Sequence, residues 1–190
     1  MRKKFTMLFA VLLACVGVVK AQYYVIESIG ENITDLNALT EDCYVALYNV
    51  GKSKYIYEGG DHKLYMGTAA DAGAGHEYIW QVHKEGEKFL FTSASGRYFS
   101  TPLDGKDVYA VKSDNAAKDK FTITAHQEDG TKWLVQSTNN SKYWDAQNER
   151  FVGWAGSGAN SRYEIRPVTV SAAVENDFTK LITTNEDDIK

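Results

Sequence analysis

Aromatic and apolar residues recur along the middle of the chain in short blocks separated by polar turns, and the blocks come in three sets. Tyr44-Val45-Ala46, Phe89-Leu90-Phe91 and Trp133-Leu134-Val135 open the sets, 45 and 44 residues apart. Each set continues through a polar turn into a basic residue, a Tyr and an apolar residue: Lys54-Tyr55-Ile56, Arg97-Tyr98-Phe99 and Lys142-Tyr143-Trp144. These Tyr lie 43 and 45 residues apart. Each set closes on an aromatic two residues before a β-branched residue: Trp80-Gln81-Val82, Phe121-Thr122-Ile123 and Tyr163-Glu164-Ile165, spaced by 41 and 42. Alternation within the blocks is the period-2 signature of strands.

Each unit has room for four short strands. They fall near 43–50, 54–58, 63–67 and 77–84, then 87–93, 97–100, 107–112 and 119–126, then 131–138, 142–145, 149–154 and 161–168. Turn residues such as Gly59-Gly60-Asp61, Ser95-Gly96, Asp129-Gly130 and Asn139-Asn140 separate them. Pro102 falls in a loop, and Pro167 is expected at the end of the last strand, where a missing N–H does least harm. Ile33, Leu36 and Leu39 carry a helical spacing with Thr34 as N-cap, which predicts a short helical turn before the first unit.

Repeats of this length with four strands also describe propeller blades, but three blades are too few to close a propeller. A generic β-sandwich gives no reason for threefold spacing. The pattern resembles a β-trefoil, an all-β fold of three four-stranded repeats and about twelve strands around a six-stranded barrel. The repeats would span about 44–87, 88–131 and 132–170 within a domain at 22–170. Residues 171–190, with five acidic and two basic residues, read as a tail, disordered or a short docked helix.

The first 21 residues are excluded from the fold. Met1-Arg2-Lys3-Lys4 is a basic start, Phe5 to Val19 an uncharged apolar run too short to span a membrane, and Val19-Lys20-Ala21 a signal-peptidase site. This predicts an exported, bacterial-type protein starting at Gln22. The alternative is a lipobox at Leu12-Leu13-Ala14-Cys15, which would anchor the chain by a lipid on Cys15. Removing the leader takes away four basic residues and leaves 17 Lys and Arg against 25 Asp and Glu, a net charge of −8. Such a chain is not expected to bind nucleic acid. Cys43 alone remains, so no intramolecular disulfide is expected. His62, His76, His83 and His126 are scattered without metal-ligand spacing, and no metal or cofactor is expected. Nothing supplies a nucleophile with its base, so no enzyme is expected.

The aromatics that recur in all three units, Tyr55, Tyr98 and Tyr143 included, read as core. The third unit departs from the pattern with Tyr143-Trp144-Asp145-Ala146, Gly153-Trp154 and Asn160-Ser161-Arg162-Tyr163. This order resembles the sugar pocket of ricin-B-type lectins. The resemblance implies that Asp145 and Asn160 hydrogen-bond sugar hydroxyls while Trp154 stacks on the sugar's apolar face, with Asn148 in the intervening turn as a further candidate. The family's Gln-x-Trp signature is here Ser161-Arg162-Tyr163, and only the core aromatic persists. The first unit offers Glu58 and the second Thr101 near the Asp145 position, so at most one site is expected. The bland alternative has Trp154 capping the barrel while Asp145 and Asn160 satisfy turn backbone. Two functions follow: a secreted, non-catalytic module that binds a glycan or glycoprotein, or a protein-binding trefoil such as a protease inhibitor acting through 67–76 or 101–106.

Overall fold

The computed structural model describes residues 24–68, 76–101, 119–147 and 150–172. The leader, the site candidate Asn148, the expected strand at 107–112 and all but the first two residues of the acidic tail lie outside them. So does most of the two loops considered for protease inhibition.

Among the described residues eleven strands form: β1 (Tyr24–Ile29), β2 (Tyr44–Asn49), β3 (Lys54–Glu58), β4 (Leu64–Gly67), β5 (Trp80–Glu85), β6 (Lys88–Ser93), β7 (Phe121–Ala125), β8 (Trp133–Ser137), β9 (Tyr143–Gln147), β10 (Arg150–Trp154) and β11 (Tyr163–Ala172). Six of them close on themselves in the order β2-β5-β6-β7-β8-β11, every neighbouring pair being antiparallel, with β11 returning to β2. Closure leaves these six no open edge. The hairpins β3–β4 and β9–β10 lie outside the barrel and meet where Arg150 pairs with Tyr65. A six-stranded barrel with added hairpins is a β-trefoil.

Alternation along the barrel strands fills the interior. Val45 and Leu47, Trp80 and Val82, Phe89 and Phe91, Phe121 and Ile123, Trp133 and Val135, and Tyr163 and Ile165 are all buried. The hairpin side adds Ile56, Leu64, Phe99, Trp144 and Phe151, also buried. Phe99 and Trp144 stack at 4.4 Å between centroids, and Phe151 meets Trp144 edge-on at 5.6 Å. Each buried indole N–H finds an acceptor: Trp80 the Ile56 carbonyl, Trp133 the Ile33 carbonyl and Trp144 the Thr101 hydroxyl.

The structure corrects several expectations. Tyr55, Tyr98 and Tyr143 are half-buried, not core. The residue after each, Ile56, Phe99 or Trp144, takes the inward position, because strand neighbours point to opposite faces. Residues 97–100 make a single bridge, Thr92 to Tyr98, in place of a strand. The lead-in contains an unforeseen strand, β1, which pairs with the far half of β11. The expected helical turn is a three-residue 3-10 turn, Leu36–Ala38, capped by Asp35 rather than Thr34. The Asp35 carboxylate accepts from the Asn37 N–H. Pro167 lies inside β11, where that strand passes from β2 (Pro167 opposite Val45) to β1 (Val168 opposite Ile29). Its missing N–H falls at the change of partner.

Candidate functional site

The third unit's hairpin sets the site. In the β9–β10 ladder Tyr143 faces Trp154 and Asp145 faces Val152. Trp154 ends β10 and is 45 % exposed, one of three large apolar side chains exposed among the described residues. Asp145, one ladder pair away from Trp144, is buried. Its Oδ2 accepts a 2.6 Å hydrogen bond from the Ser161 hydroxyl. Burial pushes its carboxyl above the usual aspartate range, against the lowering effects of the Ser161 bond and of the Lys52 charge.

A 3-10 turn, Ala159–Ser161, brings the other wall. Asn160 is half-buried there, and its carbonyl accepts from the Asn49 side-chain amide at 2.7 Å. Gly51 packs so closely that a Cβ added to it would lie 2.7 Å from the Ala159 carbonyl and 2.9 Å from Asn160 Oδ1. His126 holds the loop from below. Its buried ring accepts the Glu128 N–H at Nδ1, so Nε2 is the protonated nitrogen and donates to the Gly158 carbonyl at 3.1 Å. Trp154, Asp145, Asn160, Gln147 and Gly158 thus line one open groove of about 260 Å³. Three of the four sequence candidates come together there, and Asn148 lies outside the described residues.

An aromatic face, a buried acceptor and a side-chain amide in one open groove suit a ligand with C–H bonds on one side and hydroxyls on the other. Among the described residues, Asp145 is the only carboxylate lining it. The residues that sequence reasoning missed, Ser161, Asn49, Gly51 and His126, act from other elements. Only Ser161 carried a signal, as the residue replacing the family's Gln.

The first unit shows why the groove is not repeated there. Its ladder sets Tyr55 opposite Gly67, as Tyr143 is opposite Trp154. Tyr57 therefore occupies Asp145's place, Gly67 that of Trp154, and Tyr78 that of Ser161. The Tyr57 and Tyr78 rings meet at 5.0 Å, and a Cβ on Gly67 would collide with the Tyr78 hydroxyl. Glu58 is one residue past the Asp145 position. Its buried carboxylate accepts from Ser95 and Arg97 and contacts His62, which Arg97 also touches. A larger groove of about 370 Å³ runs beside Glu58, His62, Glu77 and Ser95. Among the described residues the one Tyr, Phe or Trp on its wall, Tyr57, is packed between Tyr65 and Tyr78. In the second unit, Thr101 is buried. Its hydroxyl takes the Trp144 indole N–H and its backbone N–H donates to Asp119, so it is structural.

No protein-family model and no curated protein matches the sequence. Solved structures do match by fold. The BEL β-trefoil superposes with a TM-score of 0.57 at 13 % identity, over 68 % of this chain and 95 % of its own. The Macrolepiota procera ricin B-like lectin, solved with lactose, gives 0.55 at 16 % identity, over 66 % and 96 %. SeviL, solved with the asialo-GM1 saccharide, gives 0.54 at 9 % identity, over 65 % and 96 %. At these identities the likeness is one of fold.

Proposed function

We propose that this β-trefoil is an exported, non-catalytic carbohydrate-binding module with one glycan subsite at Trp154, Asp145 and Asn160. One observation carries the reading: an exposed indole stands beside a buried carboxylate in a single groove, where burial would have been the cheaper fate for Trp154. The indole offers a π face to a pyranose ring. The Asp145 carboxylate accepts from the Ser161 hydroxyl at Oδ2 and from the Ala146 backbone, and its remaining lone pairs can accept from a ligand hydroxyl. The Asn160 amide offers both a donor and an acceptor. Fold relatives solved with saccharides support the reading.

Binding without bond cleavage fits the same groove. Glycoside hydrolysis uses two carboxyl groups about 5–9.5 Å apart across the bond, and among the described residues this groove presents one. Export rests on the basic and apolar leader, and a secreted product beginning at Gln22 is the expected result of N-terminal sequencing. The function is tested on a glycan array with the wild-type chain and Trp154→Ala. Wild-type binding that disappears in the variant supports the subsite. Binding to no glycan, or unchanged binding in the variant, overturns it.

A further inference from the structure

We propose that Glu41, Asp42 and His83 form a binding site for a single divalent transition-metal ion of the zinc type. Sequence spacing hides this group, because His83 is some forty residues from the two acids. The fold brings their ligand atoms within 4.8 Å of one another. His83 Nδ1 lies 3.1 Å from Glu41 Oε1 and 3.4 Å from Asp42 Oδ1. Neighbouring ligands of a four-coordinate zinc ion, at bond lengths near 2.0–2.1 Å, stand about 3.3 Å apart.

Each ligand is aimed by a partner of its own. The His83 Nε2 is 2.8 Å from the Thr92 hydroxyl, and Thr92 is buried. Without metal, Nδ1–H donates to Glu41 Oε1 and Nε2 accepts from the Thr92 hydroxyl; a bound ion would take the place of the Nδ1 proton, with the ring in its Nε2–H tautomer donating to Thr92. Glu41 Oε2 takes the Lys84 backbone N–H at 2.6 Å, which leaves Oε1 turned to His83. Asp42 Oδ1 takes the Gln81 amide at 3.0 Å. Outer hydrogen bonds of this kind fix ring orientation and ligand direction in metal sites.

The backbone is fixed as well. Asp42 N–H donates to the Val82 carbonyl, and Val82 N–H donates to the Cys43 carbonyl, both at 2.8 Å. The turn is thereby clamped to β5 one residue before His83. Asp42 itself has φ +63°, a left-handed conformation uncommon outside glycine, and is held there by that clamp. Lys84, whose charge acts on Glu41, carries its ammonium over the Phe89 ring at 5.4 Å. Three electron-pair donors thus converge on one solvent-accessible point. The imidazole selects for zinc, nickel or cobalt over calcium and magnesium, which prefer all-oxygen shells.

The test is calorimetric titration of the tag-free, chelator-washed full chain with zinc chloride, and separately with calcium chloride. One saturable zinc site is expected, with calcium at least tenfold weaker. His83→Ala should weaken zinc at least a hundredfold, and Asp42→Asn and Thr92→Val about tenfold each, the last by loosening the ring. Long-range imidazole NMR on the wild type should show the His83 Nδ1 signal moving with zinc, which needs no variant to fold. Unmoved His83 signals, full zinc affinity in His83→Ala, or calcium binding as tight as zinc would each overturn the proposal. Trp154→Ala should keep zinc binding and His83→Ala should keep glycan binding, so this site and the glycan subsite stand or fall separately.

Discussion

An indole left nearly half exposed at a strand end forgoes hydrophobic burial, and truncating it removes little that the fold depends on. Trp154→Ala is therefore expected to melt within about 2 °C of wild type, since surface changes stay within roughly 0.5 kcal/mol. Its glycan affinity should fall at least tenfold, or about 1.4 kcal/mol. A scanning melt and a glycan titration on the same sample separate the two effects. Asp145 behaves in the opposite way. Its folded carboxyl titrates above the ordinary aspartate value because of burial. The stability linked to that shift is present below the unfolded value and lost as pH rises through the folded one, so the ionised group costs stability at neutral pH. Asp145→Asn should be at least as stable as wild type at pH 7, with a flatter stability–pH curve at acid pH. Glycan affinity of the wild type should weaken on acidification starting above the usual aspartate range, as the acceptor becomes protonated. A Tm–pH series steeper in Asp145→Asn than in wild type would contradict this.

At the scale of elements, the groove depends on contacts between segments far apart in sequence. The β2–β3 turn presses Gly51 against the Ala159–Ser161 turn with no room for a methyl group. Gly51→Ala is expected to cost about 1–3 kcal/mol through overpacking and to weaken glycan binding by displacing Asn160. Gly130→Ala, whose Cβ would meet nothing within 4 Å, should do neither. Equal melting of the two variants would show that the turn yields freely. The strands themselves were legible because period-2 burial is local: Val45 and Leu47, or Phe121 and Ile123, announce their face by alternation alone. Strand β1 was not, since its pattern has one fully buried residue, Ile26, and its partner is the far end of the last repeat's final strand. The half-buried Tyr55, Tyr98 and Tyr143 misled for a related reason. Recurrence marks equivalent places, and either face of a strand can recur. Of the site, Asp145, Trp154 and Asn160 were readable as breaks in the repeat. His126 and Asn49 were not, because each contributes through one long-range hydrogen bond to a carbonyl.

For the whole molecule, the consequence of imperfect symmetry is valence. A trefoil with three equivalent grooves would cross-link multivalent glycans, whereas the first unit here fills the equivalent space with the Tyr57–Tyr78 ring pair and a Gly67 that admits no side chain. The chain is expected to bind one monovalent oligosaccharide per molecule by calorimetry and not to agglutinate glycan-bearing cells as a monomer. A stoichiometry near two would show a further subsite outside the third unit. The ladder register also gives what separates the first unit from the third. Tyr57→Asp, Tyr78→Ser and Gly67→Trp together would supply the carboxylate, its hydroxyl partner and the indole at the places where the third unit has Asp145, Ser161 and Trp154. Gly67→Trp alone should destabilise by collision with the Tyr78 hydroxyl. The triple variant relieves that collision and should raise the stoichiometry from one to two if the three groups suffice. A stable triple variant that still binds one glycan would show that the wall formed by Asn160 and the Gly158 loop, buttressed by His126 and Gly51, decides binding as much as the hairpin does.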